Sequence, residues 1–456
     1  MQNVERTAIY RSRARPAAFS RGLYDDGSGV AVVLSHAVAS LLPEMLVGLS
    51  VILMKRLSST RHSASAFISI AVAFMINMMG TTLPTPIYRF YQQQYGFTPT
   101  LITVIYACYA LGVLGALLTV GNWSDQLGRR RMLFVGLCAS AASAIAFITS
   151  HGAAGLMIGR LLSGLSAGIF TSTATVAVIE LAPPAWQPQA TLAATASNML
   201  GLGFGPLLSG VLVALLPRPT IVPYAVHLVL VALALIAVWR APETARPATR
   251  TKLQFQRISL PTEVRDAFIP AALAGFAGFV VVGFFAAVVP QLISALLGYH
   301  SSVLIGALVF LLFACSAIGQ IIQARIEAQH RLAAGCIGLA VGLTAIALCV
   351  FDRSLTTLIV GTAIAGIGQG VSFRASLGDL AAKCPPNRRA EVTSSFFVVL
   401  YIAISLPVIG LGFAVQRIGI AHATSLFAIL TTLTVLMALW LIVRRQRRPI
   451  ESATGR

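Results

Sequence analysis

Eleven residues, Gly121–Arg131 (GNWSDQLGRRR), concentrate the groups that could do chemistry. Asp125 is an acceptor able to cap a helix's first turn, where the dipole favours a negative charge. Gly121 and Gly128 permit a sharp turn and close approach of two helix ends. Arg129, Arg130 and Arg131 are cations that belong at a water interface, and Glu180 is placed to pair with Arg129 or Arg130. Two more arginines, Arg160 and Arg374, fall within apolar runs, where an ionisable side chain is costly and marks function by default. Arg374 lies late in its run, five residues before Asp379, and reads as a gate ion pair or a snorkelling side chain. This is the chemistry of charge pairing, not of bond making. No convergent Ser/His/Asp, paired carboxylates or metal-spaced His/Cys set is present, and no GxxxxGK[ST] loop. An enzyme, an ATP-driven pump and a bound cofactor or metal are therefore not expected. The six cysteines have no CxxC spacing and read as small hydrophobes.

The elements that hold these groups are apolar. Of 456 residues, 57% are hydrophobic and 10% charged, against about 25% charged in a soluble domain. Runs near 20 residues, enough to cross about 30 Å of hydrocarbon, recur at 65–85, 100–120, 132–150, 153–178, 189–214, 222–239, 268–295, 303–323, 332–350, 355–377, 392–415 and 421–443. The expected fold class is an all-α polytopic membrane protein of twelve transmembrane helices. With the N-terminus inside, cytoplasmic loops and tail hold 19 Lys and Arg and outer loops four, Arg89, Arg218, Arg353 and Arg417. The net charge of +19 is scattered over short loops, which argues against a nucleic-acid partner.

A constant offset of 202 residues matches Gly159, Gly164 and Gly168 to Gly361, Gly366 and Gly370. The same offset pairs Pro183-Pro184 with Pro385-Pro386, Asp125 with Glu327 and Arg129 with Arg331. One register kept across five helices implies two parallel six-helix halves with a site between them. The expected organisation is an N-terminal extension (1–63), a first bundle (64–239), a central cytoplasmic linker (240–266), a second bundle (267–443) and a basic tail (444–456). The extension reads as a surface or extra helix, a signal-like segment, or sequence upstream of a true start at Met54.

The 121–131 stretch resembles the loop between helices 2 and 3 of the major facilitator superfamily, G-x-L-[SA]-D-x-x-G-R-[RK], with Trp123 in place of the usual small or aliphatic residue. Arg160 with Gly164 and Gly168 resembles the family's helix-4 motif, whose arginine is implicated in proton or substrate coupling. Gly201, Gly205, Pro206 and Gly210 in GLGFGPLLSG resemble the antiporter motif of helix 5, with Ser209 and Leu192 where glycines are usual. Pro206 removes a donor and kinks its helix. The family's central helices 1, 4, 7 and 10 favour Asn77, Arg160, Gln291 and Gln369 as cavity residues. LPTPIY at Leu83–Tyr88 is similar to the proline-bearing end of helix 1 in many exporters.

The resemblance implies a secondary transporter in a bacterial inner membrane, both termini cytoplasmic, taking a small-molecule substrate and protons as a monomer. The leading expectation is proton-coupled efflux of drug-like or metabolic compounds. None of the fourteen carboxylates lies in the middle third of a span, so a neutral or anionic substrate is easier to explain than a cation, and uptake or exchange of a sugar or organic anion is the alternative. His227 is a candidate proton carrier. A membrane sensor that binds without transport is a reading of another class.

Overall fold

Hydrocarbon offers the backbone no hydrogen-bond partner, so an apolar run that crosses it must satisfy its own amides as a helix. The computed structural model describes residues 61–120, 123–245, 260–385 and 388–447, and these form helices and turns with no strand among them. Gly121 and most of the N-terminal extension lie outside the described residues. The long helices are α1 (Arg61–Thr82), α2 (Pro99–Val120), α3 (Arg129–Ile148), α4 (Ala153–Leu181), α5 (Gln187–Leu215) and α6 (Val222–Arg240). They are followed by α7 (Thr262–Ala287), α8 (Ser302–Ile322), α9 (Arg331–Asp352), α10 (Leu355–Lys383), α11 (Arg389–Ala403) and α12 (Leu406–Arg447). Short helices at Tyr88–Tyr95, Trp123–Leu127 and Val289–Ala295 sit in the connections.

Eleven stretches are long and apolar enough to cross a membrane, one fewer than the runs in the sequence. The difference lies in the last, Glu391–Arg445, which has 55 residues. At 1.5 Å per residue it would reach about 80 Å, far beyond one crossing. Gly419 breaks it, with φ 80° and ψ 163°, a conformation that suits a residue without Cβ. Divided there, the stretch gives two crossings.

The helix pairings of the first six helices recur in the last six. α4 packs on α1, α2 and α3 as α10 packs on α7, α8 and α9; α1 packs on α5 and α6 as α7 packs on α11 and α12. The glycines of the 202-residue register sit at these crossings. Gly164 and Gly168 face the α2 backbone, and Gly366 and Gly370 the α8 backbone, each so closely that a Cβ would collide with it. Small residues let backbones approach where no hydrophobic drive separates helix from lipid. The halves meet along two seams, α5 with α8 and α2 with α11 and the start of α12.

Candidate functional site

The face of the bundle that carries the 121–131 loop is termed the basic face. There Gly128, at φ 103°, ends the short Trp123–Leu127 helix and starts α3. Trp123 and Leu127 pack beside Ala116, Met132 and Ile169, which holds the loop against α2 and α4. Arg129 is 9% exposed. Its guanidinium donates to Ser124 Oγ at 2.7 Å and forks onto Glu180 at 3.1 and 3.3 Å. It also pairs with Asp125 at 2.5 Å. A planar, bidentate arginine–carboxylate contact is the geometry a guanidinium is built for.

Sequence reasoning missed the other carboxylate here. Glu243 follows α6, and its Oε1 accepts from the Arg129 amide at 2.8 Å while Oε2 accepts from the Arg130 amide at 3.2 Å. It supplies, from the segment after α6, the cap expected of Asp125, whose carboxylate instead binds Arg129. A Cβ on Gly128 would lie 2.6 Å from Glu243 Oε2, so a larger residue would displace that carboxylate in addition to straining the backbone at φ 103°. Thr244 Oγ1 donates to Glu180 Oε2 at 2.6 Å, so Glu243 and Thr244, just after α6, both join the cluster. The signal available beforehand was a carboxylate directly after span 6, at the head of a basic linker. Arg130 pairs with no carboxylate side chain to side chain among the described residues; its Nη1 lies 3.5 Å from the Trp239 carbonyl. Glu243→Gln keeps the shape and removes the charge at a helix N-terminus, an effect worth about 0.3–1 kcal/mol. A fall in thermal unfolding temperature of about one degree or less, with transport reduced less than in Arg129 variants, is expected.

Arg160 in α4 is 1% exposed. Nη1 donates to the Thr81 carbonyl at 2.5 Å and Nη2 to the Tyr106 carbonyl at 3.4 Å, and the guanidinium lies 4.8 and 5.1 Å from the Tyr109 and Tyr106 ring centres. Thr81 belongs to the last turn of α1, whose final carbonyls have no intrahelical amide donor. Arg160 therefore caps the C-terminus of α1, the end whose dipole favours a cation. No carboxylate pairs with it among the described residues.

The four residues expected around one cavity do not converge. Asn77 is buried in the first half, 2.7 Å from Ser166 Oγ. Gln369 is buried in the second half and accepts from Ser316 Oγ at 2.5 Å. Gln291 lines a narrow cleft at the opposite face with Arg89, Gln92, Thr103, Ser294 and Gly412. The reason is the register of each helix: the amide oxygens of Asn77 and Gln369 turn toward Ser166 and Ser316 within their own halves and accept from them. Arg374 is half-buried and Asp379 pairs with Lys383 at 3.6 Å, one turn away, in place of Arg374. Glu327 likewise pairs with His330, at 3.1 Å, so the Asp125–Arg129 bridge has no copy at Glu327 and Arg331. His227 touches Ser140 Oγ through Nε2 at 3.2 Å, and Gly80 makes room for its ring.

The helix-5 residues work as a packing surface. Gly201 and Gly205 face the α1 backbone at Met75 and Met79, and Gly210 faces Ser302 of α8. Pro206 leaves the Leu202 carbonyl without its helical donor, and Thr82 Oγ1 of α1 donates to it at 2.7 Å. Thr82→Val preserves shape and leaves that carbonyl unsatisfied, a cost of about 1–3 kcal/mol. A lowered unfolding temperature in detergent is expected, and no change would separate Thr82 from the kink.

At the opposite face the halves are tied. Arg89 donates to the His300 carbonyl and, at 2.7 Å, to Ser302 Oγ. Thr100 Oγ1 donates to Gln416 Oε1 at 2.7 Å, and Gly412 admits the Thr103 side chain. Among the described residues every ion pair of the basic face stays within one half.

A helical bundle of two repeated halves, with eleven stretches long and apolar enough to cross a membrane and no metal-binding cluster among the described residues, has the build of a polytopic membrane protein. The family model of the Major Facilitator Superfamily matches residues 70–407, and the chain belongs to that family, whose members are transporters and not enzymes. Multidrug resistance protein 1 of Bacillus subtilis (strain 168) is 26% identical over 189 residues, 41% of this chain and 49% of that protein. Quinolone resistance protein NorA of Staphylococcus aureus (strain N315) is 26% identical over 105 residues, 23% of this chain and 27% of that protein. The aligned stretches thus span half or less of these relatives. Among solved structures, a bacterial homolog of the human lysosomal transporter Spinster, inward-facing and unoccupied, superposes with TM-score 0.66 at 13% identity, over 86% of this chain and 98% of that one. The human organic anion transporter MFSD10 (TETRAN) gives TM-score 0.59 at 18% identity, over 83% and 99%. At these identities the likeness is one of fold.

Proposed function

We propose that the chain is a secondary active transporter in which residues 64–239 and 267–443 rock against each other, with proton-coupled efflux of drug-like or metabolic compounds as its work. The observation that carries alternating access is the unequal tying of the two ends. Arg89–Ser302 and Thr100–Gln416 join the halves at the opposite face, while the ion pairs of the basic face lie within halves. The basic loops support a cytoplasmic basic face in a bacterial inner membrane, with the protein acting as a monomer. This structure is then the state closed to the outside. Efflux is supported by the names of the drug-resistance relatives and by the Gly201–Gly210 surface, which meets α1 and α8 on either side of Pro206. A gating role for Asp125, Gly128, Arg129, Arg130 and Glu180 is supported by their shared network, to which Glu243 is added. A second reading, uptake or exchange of a sugar or organic anion, is favoured by Arg160, which has no carboxylate partner among the described residues.

The test is transport in proteoliposomes with an imposed pH gradient and an internal pH dye. One substrate pool holds lipophilic cations and neutral drugs, the other sugars and organic anions. Proton movement coupled to outward flux is expected. Flux that ignores the pH gradient would remove proton coupling, and specific binding without flux would mark a sensor.

A further inference from the structure

Arg160 is buried with its charge only partly balanced. The C-terminus of α1 offers about half an elementary negative charge, and the Tyr106 and Tyr109 rings add their faces. Two polar groups beside it are unused: Arg160 Nε and the Tyr88 hydroxyl are both buried and without a partner. Tyr88 is 3% exposed and lies within electrostatic reach of the guanidinium. Buried donors left unpaired are rare and call for a partner. This cluster borders the seam between the halves, because the Tyr109 ring lies 6.5 Å from the ring of Tyr401 on α11, so parting of that seam exposes its Tyr109 side to the space between the halves. No carboxylate of the sequence lies in the middle third of a span, so no formal negative charge there repels an anion.

We propose that the transported compound carries an anionic group, a carboxylate or sulfonate, on a flat apolar body, and that Arg160 and Tyr88 bind that group while the Tyr106 and Tyr109 rings receive the body. The direction and driving force of transport rest on the function proposed above; the binding does not, and the two are tested apart.

The full chain in nanodiscs is titrated by equilibrium dialysis with 2-naphthoate, 2-naphthalenesulfonate and 2-naphthylmethylammonium, which share a ring system and differ in charge. Both anions are expected to bind and the cation not. Arg160→Gln is expected to weaken anion binding at least tenfold, the loss of a charged hydrogen-bond partner. Arg160 also caps α1, so Tyr88→Phe, which removes only a hydroxyl, provides the variant that keeps the fold; a loss of about threefold is expected there. Binding of the cation in preference to the anions, absence of anion binding, or equal anion affinity in wild type and both variants would each overturn the proposal. Anion binding without proton-coupled flux would overturn the coupling and leave this site standing.

Discussion

Arg129→Ala is expected to reduce transport to below about a tenth of the wild-type rate, a loss of at least 1.4 kcal/mol in the conformational cycle. The side chain is the hub of the basic-face network: it binds Ser124, Asp125 and both oxygens of Glu180. Removing it leaves two carboxylates sharing one site without a cation, a like-charge arrangement that costs in either conformation. The two arms are unequal. The Asp125 side chain is 64% exposed and the Glu180 side chain 34%, so solvent screens the Asp125 arm more strongly. Asp125→Asn should therefore lose less than Arg129→Ala, and Arg129→Lys should fall between wild type and alanine because an ammonium cannot fork onto a carboxylate. The proteoliposome assay, with size-exclusion profiles to show that each variant is inserted and folded, measures all three. Wild-type rates in Arg129→Ala would remove the loop from the cycle.

Arg89→Ala is expected to open the opposite face. Its guanidinium reaches from the end of span 1 to the start of α8, where Ser301 Oγ accepts from the Leu304 amide and fixes the helix start. Without it the polar tie left between the halves at this face, among the described residues, is Thr100–Gln416, which is exposed. Two hydrogen bonds from a charged donor, one of them exposed, are worth about 1.5 kcal/mol together after allowance for solvent, which shifts a two-state equilibrium about tenfold. In a background with the six cysteines replaced, a cysteine at Ser294 in the cleft should react about tenfold faster with a membrane-impermeant maleimide when Arg89 is alanine. An unchanged rate would show that the α2–α11 and α5–α8 seams close this face without Arg89.

The two predictions differ in what could be seen beforehand. Arg129 stands out in the sequence because its loop is polar, basic and glycine-bearing between apolar runs, and Glu180 was within a short choice of partners. Arg89 is one of four basic residues in outer loops, and nothing local marks its partners 211 and 213 residues away. The carbonyl that Pro206 strands was legible, since proline lacks an amide hydrogen wherever it sits. Thr82, which satisfies the carbonyl that Pro206 strands, was not, because the contact spans 120 residues. Arg160 was conspicuous as a charge in an apolar run, yet its carbonyl and tyrosine partners come from α1 and α2.

Length, hydropathy and the glycine register by themselves determined the helical class, the placing of the crossings and the twofold repeat. A chain in hydrocarbon has few ways to satisfy its backbone, and small residues at fixed spacing permit only certain crossings. Tertiary structure alone decided which face each polar side chain presents: that Asn77 and Gln369 turn into their own halves, that Asp379 takes Lys383 and not Arg374, and that Glu243 caps α3 across 114 residues. Such pairings depend on helix rotation and on segments far apart in the chain, and neither leaves a periodic trace in the sequence.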